Sequence, residues 1–151
     1  MMIQHFLISF VLIYSLGMYS RLAPAPLAQE TSDEGQIRQM LNDYIVGWRE
    51  ADGERLARVF ATKEGRVMWI SEQSEKEMLH SMTFGEILQR ENKPQPHYGL
   101  DWEVLNLDIV DGRLAVAKLH ISRAGGSYID FLVCHKIAGE WRIVNKTFVV
   151  R

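Results

Sequence analysis

The chain predicts an α+β fold, with about three N-terminal helices packed on a curved antiparallel sheet. Two patterns carry the prediction. Apolar residues from Ile37 to Phe60 recur at steps of three and four, whereas β-branched and aromatic runs punctuated by turns fill the chain from Leu100 onward. Helical patterns come first and strand patterns last, which places the helices together on one face of the sheet. The length of 151 residues suits one domain with its own core and is too short for two.

Each element has a local reason. Thr31 and Glu34 stand at capping-box spacing ahead of Ile37, Met40, Leu41, Tyr44, Ile45 and Trp48, so a helix is expected over about 33–51. Asp52-Gly53 breaks it, with Asp52 expected to cap a helix end. Leu56, Val59 and Phe60 continue the period in a shorter second helix. Arg66–Ser71 reads as a short strand, Glu72–Glu77 as a solvated loop or helix start, and Thr83–Arg90 as a third helix ended by Pro94 and Pro96. Met78, Leu79 and Met82 are expected at a pocket rim or in a small core patch.

Four strands then form a meander: Leu100–Val110, Leu114–Ser122, Ser127–Ile137 and Trp141–Val150. Asp111-Gly112 is a strong two-residue hairpin signal. Ala138 fits the positive φ of a type I′ turn poorly, so a type I turn with Gly139 left-handed is expected before the last strand. That loop pairs Asp130 directly with Lys146. Tyr128, Asp130, Leu132 and Cys134 then share a face with Arg142, Val144, Lys146 and Phe148, and Trp141 and Ile143 take the other.

Composition narrows the function. Charged residues make up 24% and the formal net charge is −2, so nothing points to nucleic acid. The five histidines stand at no metal-ligand spacing, and neither a metal nor a cofactor is expected. The one cysteine, Cys134, excludes an internal disulfide and reads as a buried hydrophobe.

Residues 1–28 read as a signal peptide. The apolar run Phe6–Tyr19 is shorter than the ~20 residues of a bilayer span. Small residues follow it, with cleavage expected after Ala28. A secreted or periplasmic protein without a membrane span is expected, and an uncleaved membrane anchor is the alternative. Residues 29–34 are a polar linker, and 35–151 form the domain.

The last hairpin holds the chemistry. Asp130 and Lys146 are set among apolar residues, where an unpaired ion costs several kcal/mol. They form either an ion pair within the sheet or a polar pair at the floor of a pocket. Tyr44 lies on the apolar stripe of the first helix, as a core residue or a ligand contact. Lys118 and His120 alternate onto one face of their strand, with Glu103 opposite His120. Lys118 joins the polar cluster if that face also carries Asp130.

Three patterns carry a family likeness. They are Tyr44-x-x-x-Trp48-x-x-x-Asp52, Tyr128-x-Asp130-Phe-Leu, and Gly139-x-Trp141-x-Ile143-Val-Asn-Lys146-x-Phe148. Over Gly35–Arg151 the chain resembles the nuclear transport factor 2-like superfamily. Within it, the chain most resembles the group named putative lumazine-binding, near the polyketide-cyclase-like and ketosteroid-isomerase-like members. The resemblance implies a cone-shaped roll, a pocket between helices and concave sheet, and homodimers formed through the sheet. It matches Tyr44 to the first-helix tyrosine of the isomerase-like enzymes, and Asp130 to their protonated oxyanion-site aspartate. Their general base falls near positions 67–69, where this chain has Val67, Met68 and Trp69.

The leading expectation is an exported domain that binds a small apolar or aromatic molecule. Its wall would be Tyr44, Trp48, Trp69 and Phe84, with Lys118, Tyr128, Asp130 and Lys146 as further contacts. The alternatives are a cyclase, isomerase or dehydratase, and a dimeric interaction module with a vestigial pocket. In the enzyme Asp130 or His120 would move the proton and Tyr44 would stabilise an enolate-like oxygen.

Overall fold

The computed structural model describes residues 32–73, 76–90 and 99–151. The expected signal over 1–28, Thr31, Pro94 and Pro96 lie outside the described residues. Among the described residues three helices, α1 (Asp33–Glu50), α2 (Gly53–Val59) and α3 (Phe84–Arg90), pack on a curved six-stranded sheet. Its strands are β1 (Arg66–Gln73), β2 (Lys76–Thr83), β3 (Asp101–Val110), β4 (Leu114–Arg123), β5 (Gly126–Ile137) and β6 (Glu140–Val150). The spatial order is β2-β1-β6-β5-β4-β3. All neighbours are antiparallel except β1 and β6. The α+β class expected from the two periodicities is the class observed.

Helix α1 starts where Ser32 Oγ accepts the Gly35 N–H at 3.2 Å, so the cap is Ser32 rather than Thr31. Its buried stripe is Ile37, Met40, Leu41, Tyr44 and Ile45. Ala51 ends the helix in the left-handed region, and Asp52 caps α2 by accepting the Arg55 N–H at 2.9 Å. Gly47 is where the helices meet. A Cβ there would stand 2.7 Å from the Leu56 side chain, so only glycine lets α2 approach this closely.

Strand β2 corrects the expectation of a loop or helix start. It pairs with β1 along its whole length, with Trp69 opposite His80 and Ile70 opposite Leu79. Met78 and Leu79 are exposed, while Met82 packs on the core.

The β5–β6 register also differs from expectation. Ala138 and Gly139 both take positive φ, 51° and 87°, in a two-residue turn with Ile137 opposite Glu140. A bulge then leaves Val144 as the extra residue, since Cys134 pairs with Ile143 and Val133 with Asn145. Asp130 therefore faces Phe148, and Leu132 faces Lys146. A bulge inverts the alternation of its strand. This is why Trp141 and Ile143 are buried in the core beside Cys134, although a uniform strand that turns Lys146 inward would turn them outward.

In β3–β4 a second irregularity works in the opposite sense. The turn takes three residues, since Val110 pairs with Leu114, and a bulge at Leu105 restores the offset. Glu103 and His120 end up paired as expected.

One polar clamp fastens the start of α1 to the two strands beside the β5–β6 turn. Asp33 Oδ1 accepts from Lys136 Nζ at 2.8 Å and from Trp141 Nε1 at 3.0 Å. These donors hold its carboxyl below the usual range. Among the described residues no helix is long and apolar enough to cross a membrane.

Candidate functional site

A cavity of about 250 Å³ lies between the helices and the concave face of the sheet. Helix α1 supplies Tyr44, Ile45 and Trp48, which a helix sets on one face at steps of three and four. Phe60 follows α2, β1 adds Val67, and α3 adds Phe84 and Ile87. The sheet contributes Ile121, Tyr128, Asp130, Lys146 and Phe148, with Leu100 and the exposed Arg123 also in the wall. Phe60 stacks on Phe84 at 4.0 Å, and Tyr44 meets the Phe60 ring edge-on at 5.8 Å. Tyr128 and Phe148 meet edge-on at 6.0 Å. These aromatic contacts brace the wall from both layers.

The polar centre is compact. Asp130 is completely buried, and its Oδ2 accepts from Tyr44 Oη at 2.7 Å and from Lys146 Nζ at 2.8 Å. Lys146 Nζ also donates to Tyr44 Oη at 2.6 Å. The ammonium lies 5.3 Å from the Tyr44 ring centre and 4.9 Å from that of Phe148, within cation–π reach of both. The other Asp130 oxygen, Oδ1, is buried with no hydrogen-bond partner among the described residues. Burial and the adjacent carboxylate push the Tyr44 hydroxyl well above its ordinary pKa, against a smaller downward effect of hydrogen bonding with Trp48.

The ion pair is diagonal. Lys146 stands opposite Leu132, two positions along from the direct partner of Asp130, and its long stem closes the gap. The two groups meet as expected, although the direct register does not hold.

Most expected site residues converge here: Tyr44, Trp48, Phe84, Tyr128, Asp130 and Lys146 all line the cavity. Three do not. Lys118 pairs with Phe131 and His120 with Ile129, on the face of β4 opposite the inward-facing Leu119 and Ile121. Lys118 lies over the Phe131 ring at 5.4 Å, and His120 Nδ1 is 3.2 Å from Glu103 Oε1. Strand alternation sends both away from Asp130. Trp69 packs against the core but outside the cavity wall, stacked on His80 at 5.2 Å. Residues that sequence reasoning passed over include Phe60, Ile121 and Arg123. Ile121 and Arg123 follow Leu119 in strict alternation, a usable signal once the inward face of β4 is known.

The chemistry is that of a mostly apolar recess around one ion pair. Tyr44 and Lys146 both engage the same Asp130 oxygen, Oδ2. Among the described residues no group of three or more potential metal ligands occurs.

Comparisons with known proteins bear on this architecture. A family model described as putative lumazine-binding matches residues 32–149. A search of curated proteins found no match. Among solved structures, a nuclear transport factor 2-like protein of unknown function from Methylobacillus flagellatus is similar at TM-score 0.66 and 22% identity, over 82% of this chain and 96% of that one. One from Shewanella baltica has TM-score 0.66 and 20% identity, over 79% and 94%. A cystatin-like fold protein from Burkholderia xenovorans has TM-score 0.62 and 14% identity, over 80% and 93%. At such identities these likenesses speak to the fold alone. The family match, across almost the whole described chain, makes this protein a member of the putative lumazine-binding family, and the solved structures show that its fold is nuclear transport factor 2-like.

Proposed function

We propose that this protein is an exported receptor for a small apolar or aromatic molecule, held in the cavity above the Asp130–Lys146 pair. One observation carries the reading: a mostly apolar, aromatic-braced wall contains one compact polar centre, with a buried carboxylate oxygen left without a partner among the described residues. Apolar recesses with few convergent polar groups are the usual form of small-molecule sites. The family description points to the same class of ligand. Proton-transfer catalysis fits less well. Asp130 is already engaged by two donors, and Val67, Met68 and Trp69 offer no base.

The test is native mass spectrometry of the protein purified from its own host. A mass excess that disappears on denaturation is expected, and it should be absent from Ile87→Trp, whose side chain fills the cavity. A folded protein that carries no small molecule and binds none from a panel of aromatic compounds sinks the proposal. The same spectra report the N-terminus, and export requires loss of the leader at or near Ala28. The homodimer is proposed to form through the outer sheet face, where Val116, Phe131 and Val149 are exposed. Phe131→Glu should then lower the mass seen by sedimentation, and an unchanged monomer in both forms rejects it.

A further inference from the structure

We infer that the ligand enters with a neutral end carrying a hydrogen-bond donor beside an acceptor, as in the N–H and C=O of a lactam, and leaves an acidic group at the rim. The inference rests on the receptor reading above and assigns the chemistry of what is received.

The inner end is set by what the ion pair has left over. Asp130 lines the cavity and spends Oδ2 on both Tyr44 and Lys146, while its Oδ1 is buried without a partner among the described residues. A buried acceptor of this kind calls for a donor, and a charged one more strongly. Lys146 has three N–H groups and directs two of them, to Tyr44 Oη and Asp130 Oδ2. Lys146 also lines the cavity and keeps 17% side-chain exposure, which leaves its third N–H for an acceptor there. One acceptor and one donor therefore sit side by side, and their complement is a donor beside an acceptor. The opposed charges of Asp130 and Lys146 cancel, so a charged head would be buried without a counter-ion.

The outer end is set by Arg123. It is the remaining formally charged residue of the wall, exposed, with its guanidinium 4.7 Å from the Tyr128 ring centre. Leu119 is the β4 partner of Asp130, and Arg123 lies four positions further along the strand. That puts the two ends roughly 13 Å apart along β4. A fused two-ring body with a short acidic substituent spans such a distance once the arginine side chain folds inward.

The test uses the full chain and bicyclic probes of one shape, with binding followed by calorimetry. Carbostyril presents N–H beside C=O, N-methylcarbostyril lacks the donor, and naphthalene lacks both. Carbostyril should bind roughly tenfold or more tightly than its N-methyl derivative, because methylation leaves Asp130 Oδ1 unsatisfied. Equal affinities, with naphthalene still bound, overturn the inference and leave the receptor reading standing. No binding of any probe overturns both. A carboxylate on the distal ring should tighten binding at low salt, and the gain should vanish in Arg123→Gln. A gain that survives in that variant, or no gain at all, removes the acidic outer end.

Discussion

Replacing Lys146 by methionine tests how much of the fold rests on the polar centre. The substitution keeps an unbranched apolar stem and removes the ammonium, with its contacts to Asp130, Tyr44 and the Phe148 ring. Asp130 would then be a wholly buried carboxylate with Tyr44 as its one donor. Removing one partner of a buried pair costs about 3–5 kcal/mol. The surviving Tyr44 hydrogen bond, and the 17% exposure of Lys146, put the expected value near the lower end, about 3 kcal/mol. At about 3–4 °C per kcal/mol for a domain of this size, Tm should fall by roughly 10 °C. Asp130→Asn on top of Lys146→Met removes the orphaned charge and keeps an acceptor for Tyr44. It should recover about 2 kcal/mol, a coupling that a double-mutant cycle in urea resolves. Lys146→Met within about 0.5 kcal/mol of the parent would refute the reasoning, because surface substitutions give changes of that size.

Four further outcomes follow from the same geometry. The Tyr44 hydroxyl is raised in the folded state, so its contribution to stability is complete below pH ~10 and is lost as the unfolded chain ionises above it; Tyr44→Phe should flatten this alkaline loss in urea titrations at stepped pH. The Asp33 carboxyl is lowered, so its stabilisation is present above pH ~4 and fades as pH falls through the lower folded value; Asp33→Asn should lose stability at neutral pH and show a shallower acid transition. Burial pushes the Cys134 thiol up to about 12, so alkylating reagents should label it at mildly alkaline pH only after denaturant is added. Ala138 holds a φ of 51°, a conformation that costs an alanine about 1–2 kcal/mol, so Ala138→Asn should raise the urea midpoint, with stabilisation of up to about 1 kcal/mol.

The helices and the meander were legible because they are written in periodicity. Ile37, Met40, Leu41, Tyr44 and Ile45 cannot share a buried face except on a helix, and all five are buried. Strand β2 was not legible, since Lys76–Thr83 is an edge strand with exposed Met78 and Leu79 and no alternation to announce it. Turn chemistry also misled. Alanine is disfavoured at positive φ, yet Ala138 adopts it, because the two-residue turn and the bulge at Val144 together place Trp141 and Ile143 in the core.

The same bulge explains why the site could be read at all from a register that was wrong. Asp130 and Lys146 were singled out by cost: a carboxylate and an amine in an apolar ribbon must find partners, whatever the pairing. Register only decides whether that partner is direct or diagonal, and a lysine stem reaches both. Lys118 and His120 had no such constraint. Each is half-buried on the outer face with a neighbour of its own, Phe131 for one and Glu103 for the other. Residues whose burial would be ruinous without a partner are therefore predictable across an error of register, whereas residues that tolerate either face are not. By that criterion Arg123 was beyond reach, since an exposed arginine at a strand end costs nothing wherever it points. Its place beside the cavity can be read only from the structure.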